Sequence, residues 1–303
     1  MKKTIKNIIS LGIILLVIYF LYNSLSKNWT ELDFSINQID PIYTALVFLF
    51  LTSFYLFSAF NWKFILKKLG DNIQYSNSLK IKTLSDLGRY IPGKAWYVLG
   101  RAYFGKKKGI SKSKIIISLM IEHLFLLAIA IALFILFNFK EIINLNISQT
   151  ILNLIVLIGL GLLIFLPKLL NYLVNIGIRI KNKENKSEIN LNIGIKNNLS
   201  LIIQYVLFWL IIGISFILTI KSIYPSLDLN NIFFFTGIFA ISWSIGLLSF
   251  ITPGGIGVRE GIMTTLLIPY LPLTIAVAAP LLFRIYSIIT EIILSLIVLK
   301  IKD

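Results

Sequence analysis

The chain has 303 residues, of which 57% are hydrophobic and 14% charged, and its mean hydropathy is +0.87. So little polar surface cannot cover a soluble globule of this size, which excludes the water-soluble protein classes. Cysteine is absent and there is one histidine. Disulfides, thiolate metal sites and metal centres of several histidines are therefore not expected, and we expect no cofactor.

The net charge of +16 indicates topology rather than nucleic-acid binding. Residues 61–114 hold thirteen lysines and arginines against two acids, and residues 171–198 hold five against two. The positive-inside rule predicts that both segments face the cytoplasm. The segments expected outside, in which acids match or outnumber a single lysine, are 23–40, 138–149 and 221–230.

The apolar runs predict an all-α, polytopic transmembrane helical bundle that forms one membrane domain over residues 1–303 of an integral plasma-membrane protein. The first run begins just after a basic N-terminus without a small-residue cleavage site, so we expect an uncleaved first span with the N-terminus in the cytoplasm. The predicted spans are 5–22, 41–60, 115–137, 150–170, 199–220, 231–250 and 272–299.

A shorter apolar run, 261–271, makes the number of spans seven or eight. Crossing the bilayer core takes roughly 20 helical residues, so this run either re-enters or crosses by including Ile256 to Glu260. Because Lys300 and Lys302 favour the cytoplasm, we predict eight crossings.

Two Pro-Gly breaks interrupt the apolar pattern and carry charge. One contains Arg89, Pro92, Gly93 and Lys94; the other contains Pro253, Gly254, Gly255, Gly257, Arg259 and Glu260. Unpaired backbone at bilayer depth is tolerated only where protein buries it or water reaches it. We therefore expect two broken, partly inserted segments that form the working site, with elements ending at Ile91 and Thr252.

The two breaks have similar surroundings. Pro92 precedes Glu122 by thirty residues, and Pro253 precedes Arg284 by thirty-one. Paired interruptions in corresponding halves are typical of transporters, and in one interpretation residues 1–149 and 150–303 form an internal repeat. The alternative is chance similarity between two Pro-Gly turns.

The ionisable residues predicted within spans are Glu122, His123, Arg284 and Glu291. A charge at bilayer depth costs a few kcal/mol or more unless it is paired or hydrated, so each marks a candidate functional residue. In one interpretation Arg284 merely pairs with Glu122 or Glu291. In the other, Arg89, Lys94, Arg259 and Arg284 form a cationic cavity for a phosphate headgroup, and the carboxylates hold the arginines while it is empty.

The other polar and aromatic residues near these segments receive ordinary structural interpretations. His123 is expected to be a hydrogen-bonded core residue, and the alternative is a proton relay. The residues expected to anchor span ends at the membrane interface are Trp29, Trp62, Trp96 and Tyr97.

Residues 88–101 (GRYIPGKAWYVLGR), residues 252–261 (TPGGIGVREG) and the arginine-bearing last span together resemble the transmembrane region of lysylphosphatidylglycerol synthases. That region is also found alone, as a flippase-like family. In the multiple peptide resistance factors, this domain is associated with moving aminoacylated phosphatidylglycerol between leaflets, and a separate cytosolic domain makes that lipid. The residues that match by position are Arg89, Pro92, Gly93, Lys94, Pro253, Gly254, Gly255, Gly257, Arg259 and Glu260.

The resemblance and the charges together predict a lipid translocase rather than an enzyme. Its partner would be the membrane, and its substrate an anionic phospholipid or a polyprenyl-phosphate-linked lipid. The chain stops at Asp303 without an aminoacyl-transferring domain, so synthase activity is not expected. Two alternatives stay open: a scaffold subunit that docks an envelope-biosynthesis enzyme through residues 61–114, and a lipid-modifying transferase that uses Glu122 or Glu260.

Overall fold

A computed structural model describes residues 39–90, 96–139, 142, 148–163, 194–249, 255 and 257–301. The described residues are helical, with no strand among them. The helices are α1 (Pro41–Lys68), α2 (Tyr75–Asp86), α3 (Trp96–Lys107), α4 (Lys112–Phe137), α5 (Gln149–Leu163), α6 (Ile195–Ile223), α7 (Ile232–Leu248), α8 (Val258–Leu267) and α9 (Leu273–Leu299). Two 3₁₀ turns, Leu87–Tyr90 and Leu229–Asn231, follow α2 and precede α7.

Local sequence explains where the two long helices α1 and α4 begin. The side chain of Asp40 accepts hydrogen bonds from the backbone N–H groups of Ile42 and Tyr43, at 2.8 and 3.2 Å, and Pro41 occupies the first turn, where its missing N–H costs nothing. Ser111 caps α4 through the N–H of Lys114. Buried faces of α1, α4, α6, α7 and α9 then share one apolar core.

The ends of the helices group as the charge pattern predicts. At one end, the N–H of Asp40 donates to the carbonyl of Ser222, and the rings of Phe137 and Phe233 stack. Those contacts join the flanks of the three segments predicted to be external. At the opposite end, Lys80 donates to the carbonyl of Ile301, so α9 finishes beside the basic helix α2.

Five helices of the described part are long and apolar enough to cross a membrane: α1, α4, α6, α9 and the stretch Leu229–Leu248 that contains α7. They match five of the predicted spans. The predicted span 5–22 lies outside the described residues, and 150–170 is described only as far as Leu163. The total of seven or eight spans therefore stays a prediction.

The structure differs from the sequence prediction at the end of α1 and in the short apolar run 261–271. Helix α1 continues eight residues beyond the predicted end at residue 60, because Trp62, Ile65 and Leu66 are fully buried in the core. Helix α8 has ten residues, about 15 Å at 1.5 Å per residue, which is half a bilayer core. This helix is too short to cross the core by itself, so the predicted crossing of residues 256–271 stays a prediction.

Both Pro-Gly breaks join two packed helices. The first separates the α2 and 3₁₀ segment from α3, and these elements lie against each other. The second separates α7 from α8, which run antiparallel: Gly246 lies beside Arg259, while Phe234 meets the ring of Tyr270 at the other end. Ile91 and Thr252, where elements were predicted to end, lie outside the described residues.

Candidate functional site

The two helix pairs at the breaks meet at one internal cavity of about 150 Å³. Its wall includes the three described arginines of the predicted cationic site, Arg89, Arg259 and Arg284, together with Glu122 and Gly255. Residues predicted for this site from distant parts of the chain are thus brought together. Five other predicted site residues lie outside the described part of the chain: Pro92, Gly93, Lys94, Pro253 and Gly254.

One wall of the cavity is a buried network of four charges from α2, α3 and α4. Lys82 and Arg101 both donate to Glu122, with Arg101 Nη1 at 2.5 Å from Oε2. Arg101 Nη2 also lies 2.6 Å from Asp86 Oδ1, and Lys82 Nζ lies 3.9 Å from Asp86 Oδ2. Two cations and two carboxylates therefore neutralise each other at this wall.

The surroundings of this network hold its members in position. Arg101 lies over the ring of Trp62, 5.1 Å from the centroid, and Trp62 Nε1 donates to Ser118 Oγ at 3.0 Å. Burial alone would raise the pKa of Asp86, but the nearby cations of Lys82 and Arg101 outweigh burial and hold that pKa below its ordinary value. The carboxylate is therefore ionised at neutral pH.

The sequence interpretation missed part of this network. Lys82 and Arg101 were read only as topology-setting charges, yet both are buried. The available signal was the i, i+4 spacing of Lys82 and Asp86 together with the position of Arg101 just after the break. Trp62, predicted to be an interfacial anchor, is completely buried because its indole N–H reaches Ser118.

A second ion pair lies where the first break approaches α9. Arg89 Nη2 is 2.6 Å from Glu291 Oε2, and the hydroxyl of Tyr90 donates to the same oxygen at 2.9 Å. Glu291 is fully buried, while the other oxygen of its carboxylate has no hydrogen-bond partner. This pair anchors the 3₁₀ turn after α2 to the last helix.

A third ion pair joins the second break to α9. Arg284 Nη1 donates to Glu260 Oε1, and the backbone N–H of Gly257 donates to Glu260 Oε2 at 2.8 Å. The proposed pairing of Arg284 with Glu122 or Glu291 is wrong: Glu122 is held by α2 and α3, and Glu291 by Arg89. The helix geometry explains this result, because the break brings Glu260 at the start of α8 against Arg284.

Arg259 differs from the other cations of the cavity. No carboxylate among the described residues lies within ion-pair distance of its guanidinium, which instead lies over the rings of Phe239 and Phe283, at 4.8 and 5.8 Å from their centroids. In and behind the described cavity wall there are five cationic and four anionic side chains. The cations are Lys82, Arg89, Arg101, Arg259 and Arg284, and the carboxylates are Asp86, Glu122, Glu260 and Glu291. The surplus positive charge belongs to Arg259.

Glycine makes the approach of the broken backbone possible. Gly255 has φ +70° and packs on α7, where an added Cβ would lie 2.8 Å from the carbonyl oxygen of Gly246. A Cβ on Gly246 would in turn lie 2.9 Å from that of Arg259. A side chain at either glycine would therefore require α7 and the segment at the start of α8 to move apart.

His123, the single histidine of the chain, also lines the cavity. Its Nδ1 lies 2.8 Å from the carbonyl oxygen of Leu119, and its Nε2 lies 3.4 Å from the hydroxyl of Tyr97. The predicted hydrogen bonding of His123 is confirmed. Tyr97 was predicted to be an interfacial anchor, but its ring reaches inward to this site.

The five apolar helices and the buried charges between them define an integral membrane protein with an internal, partly charged cavity. Residues 7–295 match the family model described as the lysylphosphatidylglycerol synthase TM region. The chain belongs to this family, which confirms the resemblance inferred from the two Pro-Gly motifs and the last span. No curated protein matches the chain significantly.

Proposed function

We propose that this protein is a translocase that moves an anionic lipid headgroup between the leaflets of the cell membrane. The headgroup would belong to a phospholipid or to a polyprenyl-phosphate-linked lipid. The observation that carries the proposal is the guanidinium of Arg259, which lies in an internal cavity without a carboxylate partner among the described residues. The family to which the chain belongs is defined by the membrane region of lipid synthases, which supports a lipid as the substrate.

Phosphate suits this cavity because arginine presents a planar fork of N–H donors to its oxygens. Arg284 lies in the same wall, and its buried Nε has no hydrogen-bond partner. A phosphate that enters at Arg259 could therefore first take that spare donor, while Nη1 of Arg284 is still bound to Glu260. The two arginines would act together, one as the surplus charge and one as an oriented donor.

Glu260 supplies the counter-charge of Arg284 at the site. Its carboxylate accepts from the first N–H group at the start of α8, a position that favours anions. An entering phosphate competes with this carboxylate for Arg284 and for the helix terminus. Such exchange lets the site release a headgroup as well as bind it, which is what transport requires.

Movement of the headgroup needs no covalent chemistry. The acyl or prenyl tails would stay in the surrounding lipid, and the apolar part of the cavity wall would contact the headgroup linkage. That wall contains the rings of Phe54, Phe208, Trp243 and Phe283. We therefore propose a transporter and not an enzyme.

The test is leaflet exchange in reconstituted vesicles. Fluorescently labelled phosphatidylglycerol is placed in both leaflets, and the label in the outer leaflet is reduced chemically. The wild-type protein should make the inner label accessible, and Arg259→Gln should remove this exchange. Lys106→Gln is the matched control, because Lys106 is exposed on α3 away from the cavity and loses the same charge.

Two results would contradict the proposal. Arg259→Gln at wild-type expression with undiminished exchange would show that the surplus cation is not used. A wild-type protein that moves no label but purifies with a stoichiometric enzyme would instead support a scaffold subunit docked on the basic segment.

The orientation in the membrane is part of the same proposal. We place the basic end, with α3 and the end of α9, in the cytoplasm, and the turn between α6 and α7 outside. The chain has no cysteine, so each of the single variants Lys106→Cys and Asn230→Cys carries one thiol, the introduced one. A membrane-impermeant thiol reagent added to intact cells should label Asn230→Cys but not Lys106→Cys; the opposite pattern would invert the topology.

A further inference from the structure

We infer that His123 is a proton-binding site of the headgroup cavity, so that protonation and anion binding strengthen each other. The inference rests on the proposed function, because it assumes that an anion enters the cavity. It adds a second ligand, a proton, and assigns it to one atom, Nε2 of His123. The first observation is that the only histidine of the chain lies in the cavity wall.

The hydrogen bonds of His123 fix its neutral tautomer. A backbone carbonyl only accepts hydrogen bonds, so the 2.8 Å contact with the carbonyl of Leu119 requires the proton on Nδ1. Nε2 then carries the lone pair of the neutral ring and faces the hydroxyl of Tyr97 at 3.4 Å. The next proton to bind must therefore bind at Nε2.

Tyr97 accommodates both protonation states without moving. Its hydroxyl donates to Nε2 of the neutral ring, and by rotating the O–H bond it accepts from Nε2–H of the imidazolium. The bond to Leu119 is the same in both states. Proton binding thus changes the charge of the cavity without requiring a new side-chain arrangement.

The charged groups that act on His123 come from three helices. Glu122 precedes it on α4, Arg101 comes from α3 and Lys82 from α2. Elsewhere around the same site, the titratable groups are Asp86 on α2, Arg89 and Tyr90 after α2, Tyr97 on α3, Tyr55 on α1, Tyr205 on α6, Arg259 and Glu260 on α8, and Arg284 and Glu291 on α9. Arginine, lysine and tyrosine ordinarily titrate well above pH 8, and aspartate and glutamate ordinarily titrate below pH 5. A histidine is the group suited to titrate between these limits.

The direction of the coupling follows from the charges. With a neutral His123, the described wall has one surplus cation, Arg259; protonation makes the surplus two. An anion is then bound more tightly at low pH, and by reciprocity a bound anion raises the proton affinity of His123. A headgroup taken up on the more acidic side of a membrane would therefore be released more readily on the less acidic side.

The experiment uses a probe whose own charge does not change with pH. Short-chain phosphatidylglycerol, a phosphodiester with one negative charge, is titrated into the detergent-solubilised full chain between pH 8 and pH 5.5. We expect the affinity of the wild-type protein to rise as the pH falls, toward a limit of about fivefold when His123 is fully protonated. His123→Gln, whose amide can keep the bond to Leu119, should stay within about twofold over the same range.

A second measurement needs no variant. Because the chain has a single histidine, one set of imidazole ¹⁵N signals reports its protonation. We expect the pKa read from these signals to rise by about 0.7 when phosphatidylglycerol is added, the equivalent of fivefold coupling. An unchanged pKa, or equal pH dependence in wild type and His123→Gln, would overturn the inference.

Failure of the proposed function would look different. Short-chain phosphatidylcholine carries the same phosphodiester but no net charge, and it serves as the control ligand. A wild-type protein that binds both lipids equally at every pH, or an Arg259→Gln variant that binds phosphatidylglycerol as wild type does, would refute the anion site itself. Selective anion binding with no dependence on His123 would leave the anion site and remove only the proton site.

Discussion

The two sides of the cavity hold similar residues in different electrostatic states. On the side of α2, α3 and α4, Lys82 and Arg101 are matched by Asp86 and Glu122. On the side of α8 and α9, Glu260 pairs with Arg284, while the guanidinium of Arg259 lies over aromatic rings and has no carboxylate partner among the described residues. The balanced side has the properties of a structural support. The unbalanced side has what a ligand site needs, a buried charge still able to bind.

The largest effect is expected from breaking the balanced side. Glu122→Gln leaves Lys82 and Arg101 sharing Asp86 alone, and an uncompensated buried charge costs about 3–5 kcal/mol of unfolding free energy. Thermal unfolding in detergent measures the loss. The control is Lys114→Gln, whose pair with Asp71 is about one quarter exposed and should contribute less than about 1 kcal/mol. Equal melting temperatures for the two variants would show that the network is not structural.

The next effect tests how the break positions Arg259. Gly255→Ala adds a Cβ in a left-handed conformation and places it against the carbonyl of Gly246. Gly109→Ala has the same conformational penalty, about 1–2 kcal/mol, but meets open space. We expect the Gly255 variant to lose at least about twice as much stability and also to lose headgroup binding. If the two variants behave alike in unfolding and binding assays, close packing of the break on α7 is not required.

A gain of binding is expected on the unbalanced side. Glu260→Gln removes the counter-charge of Arg284 and leaves two unpaired arginines in the cavity. The affinity for short-chain phosphatidylglycerol should rise by about fivefold, the equivalent of about 1 kcal/mol. Asp71→Asn, a carboxylate paired outside the cavity, should leave the affinity unchanged. A weaker affinity in the Glu260 variant would mean that this carboxylate helps to bind the headgroup.

The smallest effect concerns the anchor between the first break and α9. Tyr90→Phe removes one of the two donors to Glu291 and leaves Arg89 in place. The loss of stability should be about 1 kcal/mol, the ordinary contribution of one hydrogen bond. Leaflet exchange should persist, because Arg259 is untouched. Abolished exchange at near-normal stability would give the Tyr90 hydroxyl a direct role at the site.

Much of the fold was predictable from apolar runs, because a helix in lipid must satisfy its backbone internally and be long enough to cross. The span predicted at 115–137 became Lys112–Phe137, and that at 272–299 became Leu273–Leu299. The end of α1 was not predictable in this way. Lys63, Lys67 and Lys68 look like the end of a span, yet the helix continues because its other face is buried.

The candidate site was predicted as a set of residues, but not as a set of pairs. The Pro-Gly motifs identified Arg89, Arg259 and Glu260, and placement within spans identified Glu122 and Arg284. Lys82 and Arg101 were missed because a lysine or arginine beside a span more often indicates topology. Only packing reveals that these two side chains turn inward.

The sequence by itself determined that this chain is a membrane protein with two glycine-containing breaks and a few ionisable residues within its apolar spans. The tertiary structure decided which of those charges neutralise each other, because the pairs join residues 24, 40 and 202 positions apart. Coulomb energy depends on distance in space and on burial, neither of which a linear pattern contains. That is why Arg259 could be identified from the sequence, while the absence of a carboxylate partner among the described residues was visible only in the folded chain.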